Sequence, residues 1–493
     1  MKVYLIGAGP GDPELITLKA KRIISECDII VYDDLIPTEI LSFARSDAEQ
    51  FYVGKRGGKK YKSQEEINHL LVDLARNGHS VARIKGGDPC VFGRGGEEAL
   101  YLHQQGIAFE FIPGITSAIA GPISVGIPPT HRSLSSSLKF VTAHEDPGKQ
   151  SGFVDYSLLA RDTGTIVFLM GALRIAAIAE KLMQEGMSVD TPCCLIQNAT
   201  TPLEKHVVST LNNVARDARL QEIGSPCVMV VGKVVELSRT LNREKVLPLH
   251  GVSALITRPA HLAIFTSRLF FSQGASSVIY PLVEIAPLDF KLPQIKAYDM
   301  YIFTSQNAVS LFFDKLYCKN TDAREFAGAS IYCIGPKTLS ALKNYGIIAD
   351  GMAREFRAEG IVELLKTEDL NEKRICLPRA KGARKYLAEA LQARGAQVDE
   401  IYVYETILPK KANKTDFLQA LSKVNTVIFT SPSGVNHACV LLGDDVGVLK
   451  EKRLAAIGPV TAQAMHSSGF EPQVCAQEYT DTGIIQALQG ALT

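Results

Sequence analysis

Short β-rich apolar runs alternate with amphipathic stretches along almost the whole of this 493-residue chain. IIVYD, VARIK, FEFIP, TIVFLM, CCLIQ and VMVVGKVV recur between helix-like segments such as EEINHLLVDLARNG. That rhythm implies α/β layers, and the length alone gives a prior of about three domains. The rhythm breaks at SRTLNREKVLPLHG (238–251), which is charged, contains Pro248 and Gly251, and reads as a linker.

Beyond the break the sequence repeats itself. LITRPA (255–260) is echoed by ICLPRA (375–380), IFTSQNAV (302–309) by IFTSPSGV (428–435), and IGPKTLSAL (334–342) by IGPVTAQAM (457–465). Matches in register at one period predict two similar α/β units with a cleft between them, the default place for a ligand.

A net charge of +1 gives no global reason to expect nucleic acid or a membrane surface as a partner. The ten cysteines show no C-x-x-C pair and no Cys/His cluster, so neither disulfides nor a metal site are expected, and a cytoplasmic location fits. No targeting segment is visible. No apolar stretch approaches the ~20 residues of a membrane span.

The opening VYLIGAGPGDPELITL imitates a dinucleotide-binding loop, with Gly7 and Gly9 after a strand and Asp33 and Asp34 about two dozen residues on. The imitation fails at the sixth position, where Asp12 would repel a pyrophosphate. Pro10 and Pro13 also remove amide donors.

Chemistry concentrates elsewhere. In RIKGGDPCVFGRGGEEAL (83–100) a strand runs into glycines that let a ligand approach backbone, and Asp88 can accept hydrogen bonds; by itself Asp88 reads equally as a turn or helix cap. IPGITSAIAG (112–121) offers Thr116 and Ser117 at another strand end. VGKRGGKKYKSQEEIN (53–68) is a basic stretch that reads as a solvated loop and would suit a polycarboxylate.

In this order the motifs resemble the tetrapyrrole methylases, above all the uroporphyrinogen-III C-methyltransferases, over residues 1–240. The resemblance runs through GAGPGDPELITLKA, VYDDL, VGKRGG, KGGDPCVFGRGGEE, PGITSA, THR (130–132), IVFLMG and SPCVMVVGKVV. It implies a two-lobed fold with S-adenosylmethionine in the cleft, surrounded by Pro10, Gly86, Gly87, Asp88, Val91, Thr116, Ser117, Met170 and Ala199. It further implies Asp33 as base, Lys55 as proton donor, Arg132 as a substrate contact, and no metal. Shielding from water would strengthen such a base; without the resemblance, Asp33 reads as a turn cap in DDLIPTE. Cys90, Lys60 and Pro129 depart from residues usual in that family.

After a linker at 241–251, residues 252–493 resemble uroporphyrinogen-III synthase through TRPA, FTSQNAV, IGPKT, LPRAKGARKYLAEAL, YVYET, FTSPSGV and AAIGPVTAQAM. The resemblance implies a domain of 252–285 plus 408–493, an inserted domain of 286–407, and hydroxymethylbilane held between them. Thr304, Ser305, Ser431 and Thr461 sit on turns at strand ends where hydroxyls and amides can bind acetate and propionate groups. Tyr404 matches the tyrosine that assists loss of the substrate hydroxyl; on its own it reads as a strand aromatic.

The fold class expected is therefore α/β: a two-lobed tetrapyrrole methylase followed by a two-domain α/β uroporphyrinogen-III synthase-like unit. The function expected is bifunctional: cyclisation of hydroxymethylbilane to uroporphyrinogen III, then two methylations giving precorrin-2 for siroheme or cobalamin. The alternative is another precorrin methylase fused to a non-catalytic ligand-binding module. The expected partners are these small tetrapyrroles, with room for a homodimer through the methylase half.

Overall fold

The structure, a computed structural model, describes residues 1–45, 47–56, 59–60, 62–143, 154–242 and 247–492; at 55, 56, 59 and 60 it describes the backbone. Four large sheets carry the chain. The first is parallel throughout, in the order Glu49–Tyr52, Ile29–Tyr32, Val81–Lys85, Lys2–Gly7, Ala108–Ile112. The second is mixed, in the order Lys205–Thr210, Pro192–Gln197, Cys227–Val231, Thr165–Leu169, Leu138–Thr142. Its Cys227–Val231 and Thr165–Leu169 strands are buried along their whole length, as unbroken apolar runs require.

Local sequence explains the helices between. Gln64–Arg76 begins at Ser63, whose hydroxyl accepts from the Glu66 amide while the Glu66 carboxylate accepts from the Ser63 amide. This reciprocal cap fixes the start, and Ile67, Leu71, Val72 and Ala75 then form the buried face.

The third sheet runs Ser276–Ile279, Ser253–Ile256, Thr426–Phe429, Arg453–Ala456, Val474–Cys475. The fourth runs Glu284–Pro287, Gln397–Ile407, Arg374–Ala380, Met300–Phe303, Ser330–Cys333, Gly351–Met352. Setting aside the outermost Glu284–Pro287, the two share one order, and each pair of repeated motifs occupies matching places. Ser305 and Ser431 both cap the helix after the matching strand, accepting from the amides of Ala308 (3.1 Å) and Gly434 (3.2 Å). Gly335–Pro336 and Gly458–Pro459 both open the next helix with proline in its first turn, where the missing N–H costs nothing.

The repeat in the sequence is nevertheless not the folded unit. The first copy places LITRPA in the third sheet and IFTSQNAV in the fourth; the second copy places ICLPRA in the fourth and IFTSPSGV in the third. Each sheet is thus assembled from part of both copies, so the chain must cross twice. The crossings lie side by side as an antiparallel ladder, Glu284 opposite Ile407 and Pro287 opposite Tyr404.

The stretch 238–251 differs from a plain linker. Ser238–Leu241 is helical with Ser238 buried, and Leu249 is fully buried beside Val252 and Phe270. Among the described residues no helix is long and apolar enough to cross a membrane.

Candidate active sites

The carboxyl ends of Lys2–Gly7, Val81–Lys85 and Ala108–Ile112 bring three glycines to one point. A Cβ on Gly7 would stand 2.6 Å from both the Gly114 Cα and the Gly87 carbonyl oxygen, so only glycine allows these backbones to touch. Gly9 and Gly87 exchange amide-to-carbonyl hydrogen bonds of 3.2 and 2.7 Å, both in the left-handed region.

Asp88 caps no helix. Its Oδ1 accepts from the Cys90 amide (2.8 Å) and its Oδ2 from the Gly114 amide (3.0 Å), clasping two strand-end loops together. Thr116 caps the helix Ser117–Ser124 through its own hydroxyl. Val91 packs on the apolar cluster that holds Ala118 and Ala199. The Pro10 loop meets the second sheet here: a Cβ on Gly11 would lie 3.0 Å from the Ala199 carbonyl oxygen, and the Asp12 amide donates to Thr200 Oγ1 (3.1 Å). Asn198, Thr200 and Met170 are non-glycine residues at positive φ (50°, 65° and 58°), and Met170 is 52% exposed at the end of Thr165–Leu169. All three lie at strand ends of the second sheet.

Other expected residues stand apart from this clasp. Arg132 is exposed on the turn between His131 and Ser135. The side chains of Lys55 and Lys60 lie outside the described residues. Asp33 is half-buried and paired with a cation: its Oδ2 accepts from Arg83 Nη2 at 3.3 Å. The reason lies in the strand VARIK, whose Arg83 and Lys85 point to one side and are both buried. Glu98 answers them, accepting at Oε1 from Lys85 Nζ (2.8 Å), Arg83 Nε (3.4 Å) and Gln64 Nε2 (3.1 Å). Burial alone would push the Glu98 carboxyl up, but Arg83 and Lys85 hold it below the usual carboxylate range. Burial and the neighbouring Arg83 hold Lys85 below the usual lysine value despite Glu98.

In the carboxy-terminal half, Tyr404 on the crossing ladder is buried, and its hydroxyl lies 3.1 Å from Ser305 Oγ. Thr304 is half-buried beside it. Ser431 lines a cavity of about 210 Å³ with Arg258, Leu262, Val283, Thr406 and Ile457, where the crossing chains meet the third sheet. Thr461 is buried in the first turn of Pro459–Ser467.

These two sets of strand-end loops belong to two known families. The model described as Tetrapyrrole (Corrin/Porphyrin) Methylases matches residues 2–215, and that of Uroporphyrinogen-III synthase HemD matches 265–486. A protein of Ruminiclostridium josui named "Porphyrin biosynthesis protein HemD" is 33% identical over 494 residues, covering 99% of this chain and 97% of its own. The chain belongs to this family of fused tetrapyrrole methylase–uroporphyrinogen-III synthases. It is a bifunctional enzyme of tetrapyrrole biosynthesis. A uroporphyrinogen-III C-methyltransferase of Methanocaldococcus jannaschii is 49% identical over 237 residues, 48% of this chain and 97% of its own. A uroporphyrin-III C-methyl transferase of Thermus thermophilus, solved with S-adenosyl homocysteine, is 39% identical over 48% of this chain and 94% of its own, with a TM-score of 0.42.

Sequence reasoning passed over two features of this fused enzyme. The charges in VARIK were a usable signal, because alternate Arg and Lys in a central strand need buried partners. Arg258 and Asp481 pair across 223 positions, which nothing local announces.

Proposed function

We propose that the carboxy-terminal half closes hydroxymethylbilane to uroporphyrinogen III with inversion of the last ring, as a lyase. The amino-terminal half then places two methyl groups on that product, giving precorrin-2. The end-to-end match with the porphyrin biosynthesis protein carries this reading. The domain limits proposed are 1–240, 252–285 with 408–493, and 286–407. Ten free cysteines support a reducing compartment, the cytoplasm.

The strand-end loops of the first sheet suit S-adenosylmethionine, because backbone stripped of a side chain at Gly87 lies against Thr116 and the Ser117 amide, where a Cβ would stand 3.6 Å from the Thr116 Cα and 3.8 Å from the Ser117 nitrogen. When bound, that donor supplies a methyl group on a sulfonium sulfur. Gly87, Asp88, Thr116 and Ser117 would hold it from the first sheet, and Met170 and Ala199 from the second. Asp88 would do so while clasping its loops, since each carboxylate oxygen can accept more than one hydrogen bond. A ring system that gains a methyl cation at a substituted pyrrole carbon must release a proton from another position. Arg83 occupies Asp33 Oδ2, which leaves Oδ1 to receive it.

In the second half Tyr404 would donate its proton to the departing hydroxyl. Ser305 makes that possible by turning its own O–H toward the phenol oxygen, so Tyr404 keeps a partner as its proton leaves. The test is the purified chain with hydroxymethylbilane and S-adenosylmethionine, products followed by mass and absorbance. Uroporphyrinogen III followed by a doubly methylated product is expected. Absence of isomer III, or methylation only of a later corrin intermediate, overturns the reading.

A further inference from the structure

Arg258 ends the strand Ser253–Ile256 in the Thr-Arg-Pro turn and is more than nine-tenths buried. All its hydrogen bonds leave from one nitrogen, Nη1, which donates to Asp481 Oδ1 (2.5 Å) and Thr266 Oγ1 (2.9 Å). Its Nε is buried with no partner. An unmet donor on a buried guanidinium is costly unless something arrives to satisfy it. The position is nonetheless fixed from behind, because Thr266 also donates to Asp481, and Asp481 begins the helix Asp481–Leu492.

The same side chain lines the cavity with Thr406, Thr430, Ser431 and Ser433. At about 210 Å³ this space lies below the ~300–1,000 Å³ that holds a drug-sized ligand, so it takes part of a larger molecule. Arg379, at the end of the matching strand in the fourth sheet, shares the unmet Nε but differs at its tips: Glu400 and the Arg384 carbonyl engage both its terminal nitrogens, whereas the hydrogen bonds of Arg258 leave Nη2 open as well. Burial and then Arg258 hold His261 below its ordinary value, so this histidine stays neutral and adds no competing charge.

We propose that Arg258 anchors a carboxylate in this cavity through its Nε edge, namely an acetate or propionate arm of the linear tetrapyrrole. The planar fork matches a carboxylate in two parallel hydrogen bonds. Asp481 already balances the charge, so the edge supplies direction more than net attraction, and the arm can leave with the product. The identity of the arm rests on the synthase reading above.

The test uses the full chain. Arg258→Lys keeps an ammonium for Asp481 but offers no second edge; the double variant Arg258→Gln, Asp481→Asn removes both charges together. Circular dichroism and a urea unfolding profile of the isolated 246–493 half, matching wild type, report that each variant is folded. Both should raise KM for hydroxymethylbilane about tenfold or more, with kcat changed less. Both should also weaken binding of the oxidised octacarboxylate uroporphyrin III relative to wild type, the methylase half contributing equally to each. If the wild type fails to cyclise hydroxymethylbilane but binds uroporphyrin III in an Arg258-dependent way, the synthase reading falls and the anchor stands. KM and uroporphyrin affinity both within twofold of wild type in Arg258→Lys overturn the anchor.

Discussion

The hydroxyls of Tyr404 and Ser305 lie 3.1 Å apart although 99 positions separate them in the chain. One sits on the crossing ladder, the other at the head of a helix, so the pair ties the junction of the two units to one unit's strand-end turn. Tyr404→Phe keeps the buried ring and removes only the donor. Ring closure should slow by about 10²-fold or less, the low end for general-acid assistance, since orientation by the cleft survives. The check is the rate of isomer III formation. An unchanged rate, with no rise in the spontaneously closed isomer I, would leave the tyrosine a structural role only.

Asp88 should matter through both of its oxygens. Asp88→Ala releases the Cys90 and Gly114 amides together, and Asp88→Asn keeps one acceptor in place of two. S-adenosylmethionine affinity should fall about tenfold or more in the alanine variant, from ~1.5–3 kcal/mol for a charged hydrogen bond, and by less in the asparagine variant. Uroporphyrinogen III formation should not change. Equal calorimetric affinity for wild type and the alanine variant would remove Asp88 from the donor site.

Gly114→Ala tests the backbone contact itself. The new Cβ would stand 2.8 Å from the Gly7 Cα and closer still to the Gly87 carbonyl oxygen, neither of which can turn aside. Overpacking of this kind costs about 1–3 kcal/mol, and it falls on the loops around the first cleft. Methylation should be lost while cyclisation continues; methylation at the wild-type rate would show that the glycine contact is dispensable.

The pairing of Glu98 with Arg83 and Lys85 predicts an acid limit. The Glu98 carboxyl is held below its ordinary value of 4.5, so its contribution to stability is complete above about pH 4.5 and is lost as pH falls through the lower, folded value. Glu98→Gln leaves two buried cations without their shared partner, at a cost of about 3–5 kcal/mol. Urea midpoints should drop sharply at pH 7 in this variant, and its stability should vary less than wild type's between pH 4.5 and pH 3. Parallel acid profiles for the two proteins would assign the acid limit to other carboxylates.

What the sequence made legible was local chemistry. Ser305 and Ser431 announce themselves as turn residues because a hydroxyl follows each apolar strand; that both cap the following helix emerged only from the structure. What it hid was pairing at a distance. Matching motifs at one period point to two alike units, yet they cannot say which halves of the copies share a sheet, because that depends on where the chain crosses. The Asp33–Arg83 and Arg258–Asp481 pairs are invisible for the same reason: each joins residues that only the completed sheet order brings together.

The two halves also touch, and the contact bears on whether uroporphyrinogen III passes directly between them. The Glu39 carboxylate, buried on Thr38–Leu41, accepts from the hydroxyl of Ser267 on Ala260–Ser272; beside it Arg268 donates to Ser42 Oγ (3.1 Å) and lies over the Phe43 ring. Contact holds the two halves side by side, and tethering can raise an effective concentration to millimolar for a ligand that remains attached. A released product is not attached. It escapes over nanometres far faster than a typical turnover of roughly 1–10³ per second, so nearness alone does not channel it. Direct transfer needs a guiding field, and salt at physiological strength screens exposed charges beyond about 8 Å. The intact chain should therefore yield no more precorrin-2 than an equimolar mixture of residues 1–245 and 246–493 when excess decarboxylase competes for uroporphyrinogen III. The amino-terminal piece is a fair control, since the Methanocaldococcus jannaschii methyltransferase consists almost wholly of the matching 237 residues. A higher yield from the intact chain that shrinks as salt rises would show a charged path between the sites; a higher yield that ignores salt would assign transfer to the Glu39–Ser267 contact, and Ser267→Arg should then abolish it.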